Sequence, residues 1–219
     1  MIHAYDKLYL EKARILLGRM LDFAVYDLKL EIAEFYNAFL TGGYAKKFEA
    51  GEALLLSGKS GVELAYDITG NCSVKPRFTM GRSAEYWTGW ALAYYQWYTA
   101  LSFREINEIA PIEEVVRMYP KYHEMDIRQF VSALNEIYVA RNPQTRLKRK
   151  RLETGLSQSD LAIVSGVSVR TIQQYEQRQK NINCAKVEAV MAIAQALSCE
   201  IKEVLEPIDI EDDCTFLCP

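Results

Sequence analysis

The chain has 219 residues, 26 Lys and Arg against 29 Asp and Glu, a net charge of −3, and an apolar half that can fill the core of one or two domains. No apolar run approaches the roughly 18 residues of a membrane span, and Met1-Ile2-His3-Ala4-Tyr5-Asp6 lacks the basic and apolar regions of a secretion signal, so a cytoplasmic protein is expected. Five scattered cysteines (Cys72, Cys184, Cys199, Cys214, Cys218) then read as reduced thiols, and with no paired C-x2-C set and two histidines, His3 and His123, neither a metal nor a cofactor is expected.

The charge is uneven along the chain. Residues 141–206 hold 11 Lys and Arg against 7 Asp and Glu, and residues 1–140 hold 15 against 18. Residues 207–219 add Asp209, Glu211, Asp212 and Asp213 and no base. A basic module therefore sits inside a near-neutral protein, and attraction to phosphate follows the local field rather than the total.

Residues 4–28 place Leu8, Ala13, Leu16, Leu17, Met20, Phe23, Ala24 and Leu28 near helical spacing, which predicts a long amphipathic helix. A second helix over 31–40 should stop at Gly42-Gly43. Gly58-Lys59-Ser60 follows Leu54-Leu55-Leu56 and looks like part of a phosphate loop, but Ala53 stands where that loop needs its first Gly. Ser60 and Glu63 read better as a capping box for a helix over 62–69. A loop over 71–81 follows.

Ser83 should cap the most apolar helix, about 84–101. Trp87, Trp90, Tyr94, Trp97 and Leu101 form one stripe of it, and Gly89, Ala93, Gln96 and Ala100 a smaller one. Small residues let a neighbouring helix approach while bulky ones fill a core. An aromatic pocket for a small molecule, or a surface for a protein partner, is the alternative. Ser102 with Glu105 opens the next helix, and Pro111 with Glu113 and Glu114 the one after, which Pro120 should end. Asp126 should cap a last helix whose inner face is Ile127, Phe130, Val131, Leu134, Ile137 and Tyr138. His123 beside Glu124 has no catalytic partner set, so no enzyme is expected. Asn142-Pro143 then marks a boundary between a domain over 1–141, of partner-binding, dimerising or sensing type, and a domain over 142–206, with an acidic, flexible tail over 207–219.

The basic module begins with a helix expected from Pro143 to about Thr154, carrying Arg146, Lys148, Arg149, Lys150 and Arg151. Ser157 can cap a short helix with Leu161, Ala162 and Val164 on its apolar face, and Gly166 marks a sharp turn. Ser168 can cap a second short helix in which Ile172 and Tyr175 point inward. Val169, Arg170, Gln173, Gln174 and Gln177 are left outward. Asn183 should cap a helix over 184–197 closed by Val187, Val190, Met191, Ala194 and Leu197, and residues 201–205 begin a fifth.

Leu156-Ser157-Gln158, Leu161-Ala162, Gly166-Val167-Ser168, Thr171-Ile172, Tyr175-Glu176 and Ala194-x-Ala196-Leu197, in this order, resemble the Cro/repressor-type helix-turn-helix family, also called the XRE family. The resemblance covers about the last third of the chain. One departure stands at residue 178, where such proteins often have Gly and this chain has Arg.

The resemblance implies an all-α protein: a helical, bundle-like N-terminal domain followed by a five-helix, lambda-repressor-like DNA-binding domain. It implies a transcriptional regulator, a repressor in the first instance, that binds a double-stranded operator as a homodimer with the helix from about Ser168 to Gln177 in the major groove. It further implies a structural ion pair between Arg151 and Glu176. Arg170 is the candidate for guanine and Gln174 for adenine, with Gln173 beside them and Val169 placed for a thymine methyl. Gln158, Ser168 and Thr171 suit phosphate contacts at helix starts, and Arg178 and Lys180 suit the backbone beyond the helix. The alternative is an antitoxin that neutralises a protein toxin through the N-terminal domain and regulates its own operon. A third reading is a small-molecule sensor built on the aromatic helix.

Overall fold

The computed structural model describes residues 3–77 and 82–208. The acidic segment 209–219 lies outside the described residues, and Pro207 and Ile208, expected to begin the flexible tail, are buried. Every regular element among the described residues is a helix, and none is long and apolar enough to cross a membrane. The chain divides into two compact units between Tyr138 and Val139.

The first unit is built on two long helices, α1 (Leu10–Tyr26) and α6 (Ala84–Thr99), which form the most extensive helix pair of the protein. α1 is shorter than the expected 4–28 because Asp6 first caps a separate 3-10 turn, Lys7–Tyr9, accepting from the Leu8 amide at 2.8 Å. The pair crosses at two glycines. A Cβ on Gly89 would lie 2.5 Å from the Leu17 carbonyl oxygen and 2.6 Å from its carbon, and one on Gly18 would lie 2.7 Å from the Tyr86 oxygen. Backbone touches backbone there, which no side chain larger than hydrogen allows.

Short helices α2 (Ile32–Thr41), α4 (Ala53–Leu56) and α5 (Gly61–Thr69) pack on α1, and α3 (Tyr44–Glu49) packs on α2 and α4. Phe39, Phe48 and Phe103 meet edge to face in the core between them, with ring centroids 5.2–6.4 Å apart. Ser60 and Glu63 form the capping box of α5, and Lys59 pairs with Asp67 on the same helix. The Gly58-Lys59-Ser60 run is thus a helix entry.

α6 is capped by Ser83, which accepts from the Tyr86 amide at 3.0 Å, and ends two residues earlier than expected, where Ala100 turns left-handed at φ 53°. α7 (Phe103–Ile109) opens with the Ser102–Glu105 capping box. α8 (Ile112–Tyr122) starts after Pro111 and runs through Pro120, which was expected to end it. The proline removes a single amide close to the C-terminus, and the His123 amide still closes the last turn onto the Tyr119 carbonyl at 3.0 Å. α9 (Ile127–Arg141) follows Asp126, whose side chain accepts from the Arg128 amide at 2.9 Å.

The aromatic stripe of α6 divides. Trp87 packs edge-on against Tyr119 and Phe130, at 5.8 and 5.3 Å, and Trp97 and Leu101 are buried. Trp90 and Tyr94 are half-buried, with the Arg14 guanidinium 3.3 Å above the Trp90 ring. The reason is that α6 is covered on two sides: Gly89 meets α1, and Trp87, Ala91 and Tyr95 supply further buried surface, which leaves Trp90 and Tyr94 at an edge and Ala100 exposed beyond the helix.

The second unit contains α10 (Arg146–Glu153), α11 (Gln158–Ser165), α12 (Val169–Glu176), α13 (Val187–Ala196) and α14 (Ile201–Val204) around a core of Leu147, Leu161, Ile172, Tyr175, Ile193 and Leu197. α10 begins at Arg146 rather than Pro143, because Thr145 is its cap and accepts from the Lys148 amide at 3.2 Å. α13 begins at Val187 rather than Cys184, because Asn181 caps a 3-10 turn, Ile182–Cys184. The core face of α13 is Val190, Ile193, Ala194 and Leu197, while Val187 and Met191, expected on that face, are exposed. On α11, Leu161 is buried but Val164 and its neighbour Ile163 are exposed. Cys72 and Cys199 carry free thiols, but Cys184 is disulfide-bonded, which departs from the expectation of five reduced cysteines.

Candidate nucleic-acid interface

Two short helices at a fixed angle need a tight turn and caps at both starts. Ser157 accepts from the Asp160 amide at 3.0 Å, and the Asp160 carboxylate accepts from the Ser157 amide at 3.1 Å. This bonding to Ser157 holds the Asp160 carboxyl below its ordinary range. α11 ends at Gly166, which takes φ 70° and donates its amide to the Ala162 carbonyl at 2.9 Å. Two residues on, Ser168 caps α12, accepting from the Thr171 amide at 3.2 Å with its hydroxyl 2.8 Å from that of Thr171. Ile172 and Tyr175 turn into the core from α12 and fix which face points out.

Glu176, the last residue of α12, is the hub of the unit. Arg151 on α10 donates two parallel bonds to its carboxylate, Nε to Oε1 at 2.6 Å and Nη2 to Oε2 at 2.9 Å, and a third from Nη1 to the Leu156 carbonyl at 2.7 Å. Gln158 on α11 adds Nε2 to Oε2 at 2.8 Å. Both charged groups are buried. Burial pushes the Glu176 carboxyl up, but the Arg151 and Gln158 bonds outweigh it and hold the group below its ordinary value. One carboxylate thereby joins three helices.

The candidate DNA-contact residues fall into two sets. Arg170 and Lys180 are exposed, and their charged groups have no hydrogen-bond or ion-pair partner among the described residues. Ser168, Gln173 and Gln177 are exposed as well, and Val169, Thr171 and Gln174 are half-buried on the same short helix. Gln158 is drawn inward: besides Glu176 it accepts from Gln173 Nε2 at 3.3 Å, which ties the two motif helices at their outer edge. In the α10 run, Lys150 pairs with Glu203 at 2.9 Å and Arg151 is committed to Glu176, which leaves Arg149 as the exposed cation without a described partner.

Arg178 is placed differently from its expected phosphate contact. It takes φ 55°, the left-handed conformation natural to the Gly that often stands there. Its guanidinium points back into the unit, donating to the carbonyls of Asn142, Pro143 and Gln144 at 2.7, 3.3 and 3.5 Å and lying 3.6 Å from the buried Glu206 carboxylate. Glu206 also accepts from the Arg146 amide at 2.6 Å, and Asn183 holds its backbone with two bonds, at 2.9 and 3.1 Å. Glu206 and Asn183 were not legible as a pair. The available signal was a lone acid within the apolar Leu205-Glu206-Pro207-Ile208.

The arrangement predicts opposite behaviour for two small substitutions. Arg178→Gly loses the clamp but relieves the backbone, whereas Arg178→Ala loses the clamp and keeps the left-handed penalty. Urea unfolding should find the Ala variant less stable than the Gly variant by about 1 kcal/mol. An Ala variant as stable as the Gly variant would show that φ at 178 carries no penalty.

Residues 147–204 match the family model described as Helix-turn-helix. The C-terminal third of the chain is thus a Cro/repressor-type helix-turn-helix domain, the class of module that carries DNA binding in regulators of the XRE type. Comparisons with curated proteins and with solved structures return no match.

Proposed function

We propose that this protein is a sequence-specific transcriptional regulator, a repressor rather than an enzyme, that binds a pseudo-palindromic operator as a homodimer in the cytoplasm. The observation that carries the reading is α12: capped by Ser168, anchored inward through Ile172, Tyr175 and Glu176, and presenting Arg170 without an internal partner. An unpaired guanidinium on a short, rigid helix suits paired hydrogen bonds to guanine, and Gln174 one turn on suits adenine. The start of α12, with Ser168 and Thr171, suits a phosphate, and Lys180 the backbone beyond. One such module covers little DNA, so two copies on adjacent half-sites would raise both affinity and specificity.

The test is a pair of titrations on operator and random DNA. Arg170→Ala with Gln174→Ala should cost about 1–3 kcal/mol per base contact on the operator and much less on random DNA. Equal losses on both would remove the base-reading role.

A second reading, the antitoxin, draws support from the N-terminal unit, where Leu8, Ile15 and Leu54 are exposed and Trp90 and Tyr94 are half-exposed. Exposed apolar side chains suit a protein partner, and the contact of Trp87 with Tyr119 and Phe130 gives less support to a small-molecule pocket. Scattering mass of the protein purified after co-expression with its neighbouring gene separates the readings: a homodimer alone favours the stand-alone regulator, and a stable heteromeric complex favours the antitoxin.

A further inference from the structure

We infer that a second copy of this chain docks on the open edge of α6, so that two N-terminal units pair antiparallel about Trp90. The inference deepens the homodimer reading and rests on it, although the pairing itself can be measured without DNA. Three observations carry it.

The first is the pattern of burial. From Tyr86 to Thr99 every residue of α6 is buried except Tyr86, Trp90, Tyr94 and Tyr98. A spacing of four makes these one row, with steps of about 6 Å along the helix. The rings of Tyr94 and Tyr98 follow it, 6.2 Å apart and within 10° of parallel. Tyr and Trp are the residue types that anchor protein interfaces. The second observation is symmetry. Counted from Trp90, Tyr86 and Tyr94 stand one step to either side, and Arg82 and Tyr98 two steps. Turned antiparallel, the row sets Tyr86 against the other copy's Tyr94 and Arg82 against its Tyr98. A two-fold interface demands such self-complementarity.

The third is charge. Arg82 is exposed, with its guanidinium 5.1 Å above the Tyr86 ring and no ion pair among the described residues. On the other side of Trp90, Arg14 reaches from α1 over Trp90 and Tyr94, at 3.3 and 5.1 Å, and holds Glu11 Oε1 at 2.6 Å. The Glu11 side chain is 68% exposed. The cation thus lies one turn before Trp90 and the carboxylate about one turn after it. Antiparallel pairing brings each copy's Arg82 to the other's Glu11, whereas parallel pairing would set like charges together. A standard interface covers about 800 Å² per partner. One row of half-buried rings offers less, so the dimer should be weak, in the micromolar range, and tighten when both copies hold one DNA.

The experiment weighs the full chain in reducing buffer by sedimentation equilibrium, from about 1 to 100 µM. The wild type should dimerise, and Trp90→Ala, with its helix content intact by circular dichroism, should weaken the dimer about a hundredfold or more. If Trp90→Ala unfolds, two surface changes decide. Arg82→Gln and Glu11→Gln should each weaken the dimer about fivefold, and the double variant no further, because the second change removes a partner already lost. A wild type that stays monomeric overturns the proposal. So does a dimer that folded Trp90→Ala leaves unchanged, or one in which the two charge effects multiply. A monomer that instead joins the product of its neighbouring gene, and loses it in Trp90→Ala, gives the edge to another partner and also overturns it. Folded, monomeric Trp90→Ala should bind a single half-site as the wild type does and the full operator less tightly. If neither protein binds DNA, the regulator reading fails, and the masses still decide whether the copies pair.

Discussion

Replacing Arg151 with Ala should lower the stability of the helix-turn-helix unit by about 3–5 kcal/mol, the usual cost of leaving a buried charge without its partner. Arg151 supplies both parallel bonds to Glu176 and a third to Leu156, so α10, α12 and the α10–α11 turn lose one common tie. Gln158 alone cannot neutralise the carboxylate. Urea midpoints at neutral pH measure the loss, and a drop under 1 kcal/mol would mean that water reaches Glu176 freely. A double replacement, Arg151→Met with Glu176→Leu, should recover much of the loss, because two apolar groups of similar volume need no partner. The pair also sets an acid limit. Glu176 is held below its ordinary range in the folded state, so its contribution is complete above the unfolded carboxylate range, near pH 4–5. The contribution fades as pH falls through the lower folded value. Arg151→Ala should move the onset of acid unfolding to higher pH, since burial then pushes the carboxyl up against the Gln158 bond and the Lys148 charge alone.

Gly89→Ala should destabilise the N-terminal unit by about 3 kcal/mol, at the upper end of overpacking costs. The added methyl would meet the carbonyl carbon and oxygen of Leu17, which are fixed backbone and cannot rotate away. α1 and α6 must separate, and the packing along both helices loosens with them. Gly43→Ala is the control: Gly43 has φ 84° and nothing within contact distance of the added carbon, so the change brings backbone strain of about 1 kcal/mol and no collision. Thermal unfolding followed by aromatic fluorescence compares them. Equal losses would mean that the glycine crossing is not what sets the helix separation.

The caps were the most legible features of the sequence. Ser60, Ser83, Ser102, Ser157 and Ser168 each begin a helix, because a hydroxyl three residues before an amide is local geometry that needs no tertiary partner. What packs against what was less legible. Trp90 and Trp87 look alike in the chain, yet one lies at an edge under Arg14 and the other in the core, since the helices that cover α6 come from distant segments. The α13 start was misplaced for a local reason: Asn181 caps a separate 3-10 turn, and α13 begins only at Val187, with Ile193 rather than Met191 in the core. In the candidate interface, Arg170 was placed by the pattern of its helix. Arg178 was not, because its position is set by three carbonyls and one carboxylate far away in sequence.

The hold of Arg178 on residues 142–144 fixes where the chain can be cut. A DNA-binding fragment beginning at Arg146, the first residue of α10, would contain every helix of the unit and yet leave the guanidinium facing only Glu206. A fragment beginning at Val139 keeps all three carbonyls. Bonded backbone does not fit a protease groove, which needs the chain free and extended. Limited digestion should therefore spare the peptide bonds from Asn142 to Gln144 and nick the chain elsewhere. In this protein, what the sequence presents as a boundary between domains is bonded into the helix-turn-helix unit.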